Sequence, residues 1–382
     1  MKKVLLGTSA VALAGAFATS SANAVEWNVV FGGYMEQFAA YADSDVDGIS
    51  GDFSGIDNKS ESEIHFRPSI TLDNGIKFGA HIELEGNAGG APGLGTPDVI
   101  DESYLFIDGA FGRFLAGSEN SAGYLMTYSA PSVTFITNSV NSGGLPNFVP
   151  FGGTVTGTNA AGATTTLGVG NDLFRGTLYS TFIENKGNND ANRFTYFTPR
   201  FAGFQLGASY ARDANQDTFA QLNLDLLPQS AIHDIFDVGA NYVNSFGAID
   251  VAVSGRWGIA SDGRARVAGT DIGKNPQVWG AGLNLGFGGF TVGGSFAEQN
   301  NADVSDGQSW DAGVAYETGP WGFSFTYLRG ENVDNENAAL GADETLDAFT
   351  LAGRYTLAKG VAATVFGSYV NFDEDIGDGG GA

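Results

Sequence analysis

Residues 64–84 read IHFRPSITLDNGIKFGAHIEL, and outside the turn at Asp73-Asn74-Gly75 they divide by parity. Ile64, Phe66, Pro68, Ile70 and Leu72, then Ile76, Phe78, Ala80, Ile82 and Leu84, fall on one side. His65, Arg67, Ser69, Thr71, Lys77, Gly79, His81 and Glu83 fall on the other. A period of two marks a strand, because successive side chains leave a pleated backbone on opposite faces, and Asp-Asn-Gly is a hairpin turn. A hairpin so divided has two homes. In water its apolar face packs into a core, whereas in an outer-membrane barrel that face turns to lipid and the polar face lines the inside.

The same alternation recurs down the chain. Phe204, Leu206, Ala208 and Tyr210 follow the turn at 200–203; Trp279, Ala281, Leu283 and Leu285 precede the turn at 286–289; Trp321, Phe323, Phe325 and Tyr327 follow Thr318-Gly319-Pro320. Between such hairpins, near 42–59, 87–100, 119–190, 213–233, 260–275, 299–307, 331–345 and from 372 onward, lie longer, polar and mostly acidic segments. Short turns alternating with long loops, joined by strands of roughly 9–11 residues, are the pattern of a transmembrane barrel. Trp27, Tyr210, Trp279, Trp310, Trp321 and Tyr369 stand at strand ends, where aromatic side chains form interfacial girdles.

The N-terminus carries Lys2 and Lys3, an uninterrupted weakly polar to apolar run from Val4 to Ala18, and Ala22-Asn23-Ala24. This predicts a secretory leader over residues 1–24 and a mature domain over 25–382. The run is shorter than the roughly 20 residues a spanning helix needs. Removing Lys2 and Lys3 from a chain of 18 basic and 43 acidic side chains leaves 16 against 43, a net of −27. So acidic a surface excludes nucleic acid as a partner.

Enzyme chemistry is not expected. The three histidines, His65, His81 and His233, lie near no nucleophile elbow, and the glycine pairs sit at hairpin turns rather than between a strand and a helix. No cofactor is expected either. Asp43, Asp45 and Asp47 copy the first half of an EF-hand loop, but Ser54 stands where the bidentate Glu belongs. They remain candidates only for hydrated Ca²⁺ at an acidic external loop, as do Asp373, Asp375 and Asp378. No other metal ligands are expected.

Taken with the leader, three stretches carry a resemblance: SYLFIDGAFGRFLAG from Ser103 to Gly117, the long loop after it, and RFTYFTPRFAGFQLGASY from Arg193 to Tyr210. Over essentially all of its mature length the chain resembles the alphaproteobacterial general porins, a Gram-negative outer-membrane family. The resemblance implies an all-β fold, a transmembrane antiparallel β-barrel of sixteen strands, and a homotrimer set in outer-membrane lipid and lipopolysaccharide. It also implies passive diffusion of ions and small hydrophilic solutes, through a lumen narrowed by a third external loop, here about 118–190. In the family, basic residues on early strands face acids of that loop. Arg67 and Lys77 match the basic side, and Glu119, Asp172 and Glu184 are the candidate acids. The residues alone give fifteen strands before FDEDIGDGGGA, so the sixteenth is expected beyond Ala382, since an open edge in lipid costs several kcal/mol per unpaired group. The alternative reading is an adhesin or surface receptor that uses the external loops, Ser139 to Gly170 above all.

Parity then assigns the wall. If Leu72 faces Ile76, Arg67 faces His81, His65 faces Glu83 and Glu63 faces Glu85, while Pro68 removes a ladder donor and predicts a gap. The expected pore-lining set is Glu63, His65, Arg67, Lys77, His81, Glu83, Glu85, Arg193, Arg256 and Arg354, with Asp237, Asp311 and Glu317 also pointing inward.

Overall fold

The computed structural model describes residues 13–14, 26–43, 54–86, 100–134, 140–141, 153–158, 164–169, 179–185, 188–214, 232–262, 275–300, 305–334 and 343–374. A two-residue strand β1 (Leu13–Ala14) is followed by β2 (Asn28–Ala42), β3 (Gly55–Thr71), β4 (Lys77–Glu85), β5 (Ile100–Gly109) and β6 (Gly112–Ser118). Helix α1 (Ala122–Met126) and the strands β7 (Gly153–Thr158) and β8 (Thr164–Val169) come next. Then follow β9 (Asn192–Phe197), β10 (Phe204–Ala211), β11 (Ile232–Phe246), β12 (Ile249–Asp262) and β13 (Gln277–Phe287). The last are β14 (Phe290–Asn300), β15 (Ser305–Thr318), β16 (Trp321–Asp334), β17 (Asp343–Ala358) and β18 (Val361–Glu374).

Each long strand pairs antiparallel with its neighbour in sequence, so β2–β6 and β9–β18 form one meander of fifteen strands. The count agrees with the sequence reading. The one excursion is the segment between β6 and β9, which holds α1 and the separate β7–β8 ribbon, while β6 pairs directly with β9 through Leu115↔Thr195 and its neighbours. β1 lies on the outer edge of β2 through Leu13↔Phe31, and among the described residues no pairing joins β1 to β18.

Strand lengths depart from expectation. Within the fifteen-strand meander they run from 6 residues in β9 to 17 in β3. At about 3.3 Å per residue the longest reaches roughly 55 Å, well beyond a ~30 Å hydrocarbon layer even when tilted. Part of what reads as acidic loop, such as residues 55–59 and 331–334, therefore continues the ladder.

The burial pattern decides which face is inside. Along β13 the apolar Trp279, Leu283 and Leu285 are exposed, and Leu105 is 64% exposed between buried Tyr104 and Phe106. Polar side chains take the covered positions instead: His81, Glu83, Arg193, Asp237, Ser254, Arg256, Ser295, Asp311 and Thr326 are all buried. A water-soluble sheet would show the reverse. The opening hairpin keeps the expected register, Glu63↔Glu85, His65↔Glu83 and Ile70↔Phe78. Its ladder skips Arg67 and Pro68 and resumes at Ser69↔Gly79 without a shift, which is the gap a proline imposes. The turn closes with Gly75 at φ 82°, a left-handed conformation that glycine adopts without steric cost.

Outward aromatics gather at both ends of the strands. Phe204–Tyr242, Phe290–Tyr316 and Trp321–Tyr355 pair at 4.3–4.5 Å near the short turns. Tyr210–Phe236, Trp279–Phe296 and Trp310–Tyr327 pair at 4.8–5.0 Å toward the long loops.

Candidate functional site

The segment after β6 is held against the inner wall by its own backbone. Ser121 caps α1, its Oγ accepting from Tyr124 N at 3.2 Å. Ala122 N then donates to Ser209 Oγ of β10 at 3.1 Å, Gly123 N to Asp237 Oδ1 of β11 at 2.6 Å, and Tyr128 N to Ser254 Oγ of β12 at 2.9 Å. Ala130 N reaches Asp311 Oδ1 of β15 at 3.0 Å and Val133 N reaches Ser324 Oγ of β16 at 3.0 Å. Backbone donors that a loop cannot pair within itself are thus satisfied one strand at a time. The wall makes room for it. A Cβ on Gly282 would lie 1.9 Å from Tyr128 O, and one on Gly239 would lie 3.0 Å from Ala122 O. The loop's apolar side chains use small or apolar inward residues as seats: Val133 packs on Ala315 and Ala352, and Ile183 on Val278 and Ala297.

Charge is concentrated beneath this belt. Arg256 Nη2 lies 2.5 Å from Asp237 Oδ2 and 3.6 Å from Glu184 Oε2, with the three side chains no more than 2% exposed. Glu184 Oε1 also accepts from Ser121 N at 2.8 Å, and Arg256 donates to Ile183 O. Asp311 collects Ala130 N, Asn141 Nδ2, Thr181 Oγ1, Ser295 N and Ser295 Oγ. Arg193 is buried, donating to Ala191 O at 3.3 Å and to Asn188 O. Arg193 and Arg256 therefore point inward as parity requires, but the loop covers them. Asp237 and Asp311 are anchors for the loop rather than solvated wall charges.

The remaining expected residues divide. Arg354 is paired with an exposed Glu317 close to the β15–β16 turn. Lys77 sits at the start of β4 with its ammonium 5.5 Å from the Phe106 ring, which Arg113 also covers at 4.9 Å. Of the loop acids, Glu184 serves Arg256, and Glu119 is buried with Asn120 N at 2.7 Å. Asp172 lies outside the described residues, as do Asp45 and Asp47; Asp43 is exposed after β2. The serine anchors Ser209, Ser254 and Ser324 escaped sequence reasoning; glycine at inward positions such as 239 and 282 is the signal that could have found the belt.

On β3 and β4 the structure brings the opening hairpin's ionisable groups together. Tyr34 donates to Glu63 Oε1 at 2.7 Å, and Glu63 Oε2 lies 2.8 Å from His65 Nε2. Glu83 Oε1 is 2.8 Å from His81 Nε2, 3.3 Å from His65 Nδ1 and 3.8 Å from Arg67 Nη2. Arg67 Nε donates to His81 Nε2 at 2.8 Å, and His81 Nδ1 lies 2.7 Å from Tyr104 OH. Glu85, opposite Glu63, is half-buried at the end of β4.

Comparison with known proteins accords with this architecture. A family model described as Gram-negative porin matches residues 8–375. An uncharacterised protein of Rickettsia conorii is 23% identical over 323 residues, 70% of this chain and 68% of that protein. Among solved structures, the anion-selective porin from Comamonas acidovorans superposes with a TM-score of 0.55 at 16% identity, covering 91% of this chain and 90% of that one. The outer membrane protein OmpT of Vibrio cholerae, in its trimer form, gives 0.54 at 14% identity over 91% and 89%. The outer membrane channel DcaP of Acinetobacter baumannii gives 0.53 at 14% identity over 95% and 94%. At these identities the structures speak for the fold, and the family match speaks for descent. The inverted barrel, the loop fixed to its inner wall and the match over nearly the whole length together place the chain in the Gram-negative porin family, as a β-barrel of the outer membrane.

Proposed function

We propose that the protein is a passive diffusion channel for ions and small hydrophilic solutes, exported by a cleaved leader over residues 1–24 and working as a homotrimer. The observation that carries this reading is the polar inner wall with a loop laid along it. The loop's anchors lie on β10–β12, β15 and β16, and the ionisable cluster lies on β3 and β4, about half the strand order away. One side of the lumen is thereby covered and the other keeps charged side chains, Arg67 among them with 36% of its side chain accessible. Selection in such a passage comes from fields and size, so the reading involves no catalytic step and no resident cofactor. The described ends of the loop, 119–134 and 179–185, rest on the wall, which favours a channel over a surface receptor.

Single-channel recording tests it. The protein purified from outer membranes should give steady unitary steps in planar bilayers, with amplitude rising with salt concentration. A folded, heat-modifiable barrel that gives no steady conductance would overturn the reading in favour of the receptor.

A further inference from the structure

Three ligand atoms of the opening hairpin converge on one point of the inner wall. His65 Nδ1 on β3 and His81 Nε2 on β4 are 3.4 Å apart, and Glu83 Oε1 lies 3.3 Å from the first and 2.8 Å from the second. Ligands held ~2.0–2.1 Å from a zinc-class ion stand about 3.3 Å apart in a tetrahedron and about 3.0 Å apart on an octahedral face. The trio therefore has ligating spacing already.

The outer partners fit the same chemistry. His65 Nε2 lies 2.8 Å from Glu63 Oε2, itself steadied by Tyr34, and His81 Nδ1 lies 2.7 Å from Tyr104 OH. Each ring thus has an acceptor for its far N–H, the arrangement that fixes the tautomer of a metal-bound imidazole. Arg67 suits that tautomer. Its Nε donates to His81 Nε2 and its Nη2 lies against His65 Nδ1, and a guanidinium has only donors, so lone pairs on both ring atoms accommodate it. Glu83 Oε1, 2.8 Å from the same His81 nitrogen, then faces that lone pair with its own, a crowding that a cation among the three atoms relieves. The cation that these lone pairs and Glu83 now share is the Arg67 side chain, which is open to the lumen while both rings and the carboxylate are only 10–12% exposed.

We propose that His65, His81 and Glu83 form a binding site for a divalent transition-metal cation of the zinc class, with the Arg67 guanidinium as its displaceable plug. Two imidazoles and one carboxylate suit Zn²⁺, Co²⁺ or Ni²⁺; Mg²⁺ and Ca²⁺ take oxygen sets. Water completes the coordination from the lumen side. The site goes beyond the channel reading and does not depend on it, since two paired strands supply every ligand. Occupancy moves Arg67 into the lumen and adds positive charge to the wall, so metal lowers cation current through the same pore.

Calorimetric titration of the full folded chain in detergent with ZnCl₂ is the test. One Zn²⁺ should bind per chain, an excess of MgCl₂ should not compete, and His65→Gln and His81→Gln should each weaken binding by ~10-fold or more. Arg67→Met should tighten it by a similar factor, because no side chain then has to be displaced. Zinc affinity unchanged in both histidine variants would assign the metal to acidic loops and overturn the site; unchanged affinity in Arg67→Met would overturn the plug. Should a histidine variant fail to show heat-modifiable migration, the Co²⁺-loaded native chain decides. Paramagnetically shifted imidazole N–H resonances support histidine ligation, and their absence refutes it.

Discussion

Glu119, at the entry to the loop, is a carboxyl whose surroundings oppose an ionised state. Burial lifts it above the ordinary carboxylate range, and Glu83 and Asp190 add to the rise; the Asn120 N–H at 2.7 Å and a hydrogen bond with Glu102 only partly oppose it. Its folded value thus exceeds its unfolded one. Below the unfolded value both states hold the proton and Glu119 costs nothing; as pH rises toward the folded value the unfolded chain loses its proton first and stability falls. Glu119→Gln cannot ionise yet keeps an oxygen for Asn120. Its unfolding temperature should match the native chain at acid pH and exceed it near neutrality, as read from the heat-modifiable mobility shift across about pH 4 to 8. Parallel curves would show that Glu119 carries no such penalty. Other residues were half legible. Parity puts Arg193 and Arg256 on the inner face and both are buried, but nothing local distinguishes an inward arginine facing water from one lying beneath a loop.

At the scale of elements, the loop and the ladder are separable. The barrel strands hold one another by backbone pairing, whereas α1 and its flanks hold to the wall through single side chains, Asp237 and Asp311 among them. Asp237 binds Gly123 N and Arg256 at once. Among the described residues, Asp237→Ala leaves the buried Arg256 guanidinium with Glu184 at 3.6 Å as its ion partner. Breaking a buried pair from one side costs about 3–5 kcal/mol. The expected outcome is a barrel that still inserts, with a loop that undocks, seen as faster proteolysis near Tyr124 and a larger, noisier unitary current. A variant unable to insert would mean that the loop is part of the barrel's own stability. The same separation explains what the sequence could tell. Fifteen strands and the register of the opening hairpin follow from a period of two and from turns that fix pairing locally. The loop's path does not, because Ala122 finds Ser209 across 87 residues and Val133 finds Ser324 across 191. Parity names a face and never a partner. Inward glycines at 239 and 282 were the available sign, positions where a polar lining should carry a side chain and a close backbone forbids one.

For the whole molecule the governing quantity is the field. The chain carries a formal charge of −25, and its inward arginines are largely spoken for: Arg256 by Asp237 and Glu184, Arg354 by Glu317, Arg67 by Glu83 and two imidazoles. Arg193 is covered as well. Among the described residues a permeating ion therefore meets paired or covered arginines, and the chain's excess of carboxylates sets the field it feels. Such charges act through solvent, so their reach is the screening length, ~30 Å at 0.01 M salt and only ~3 Å at 1 M. The channel should prefer K⁺ over Cl⁻ at low salt and lose that preference as salt rises. Reversal potentials across a KCl gradient measure it. They should lie toward the K⁺ equilibrium potential in dilute solution and move toward zero when both sides approach ~1 M. Reversal toward the Cl⁻ potential in dilute salt would sink the argument, because it would mean that the partly accessible Arg67 outweighs the acidic mouth. A cation preference unchanged by salt would also count against it, placing selection in a tight constriction where screening does not reach rather than in the charge of the molecule as a whole.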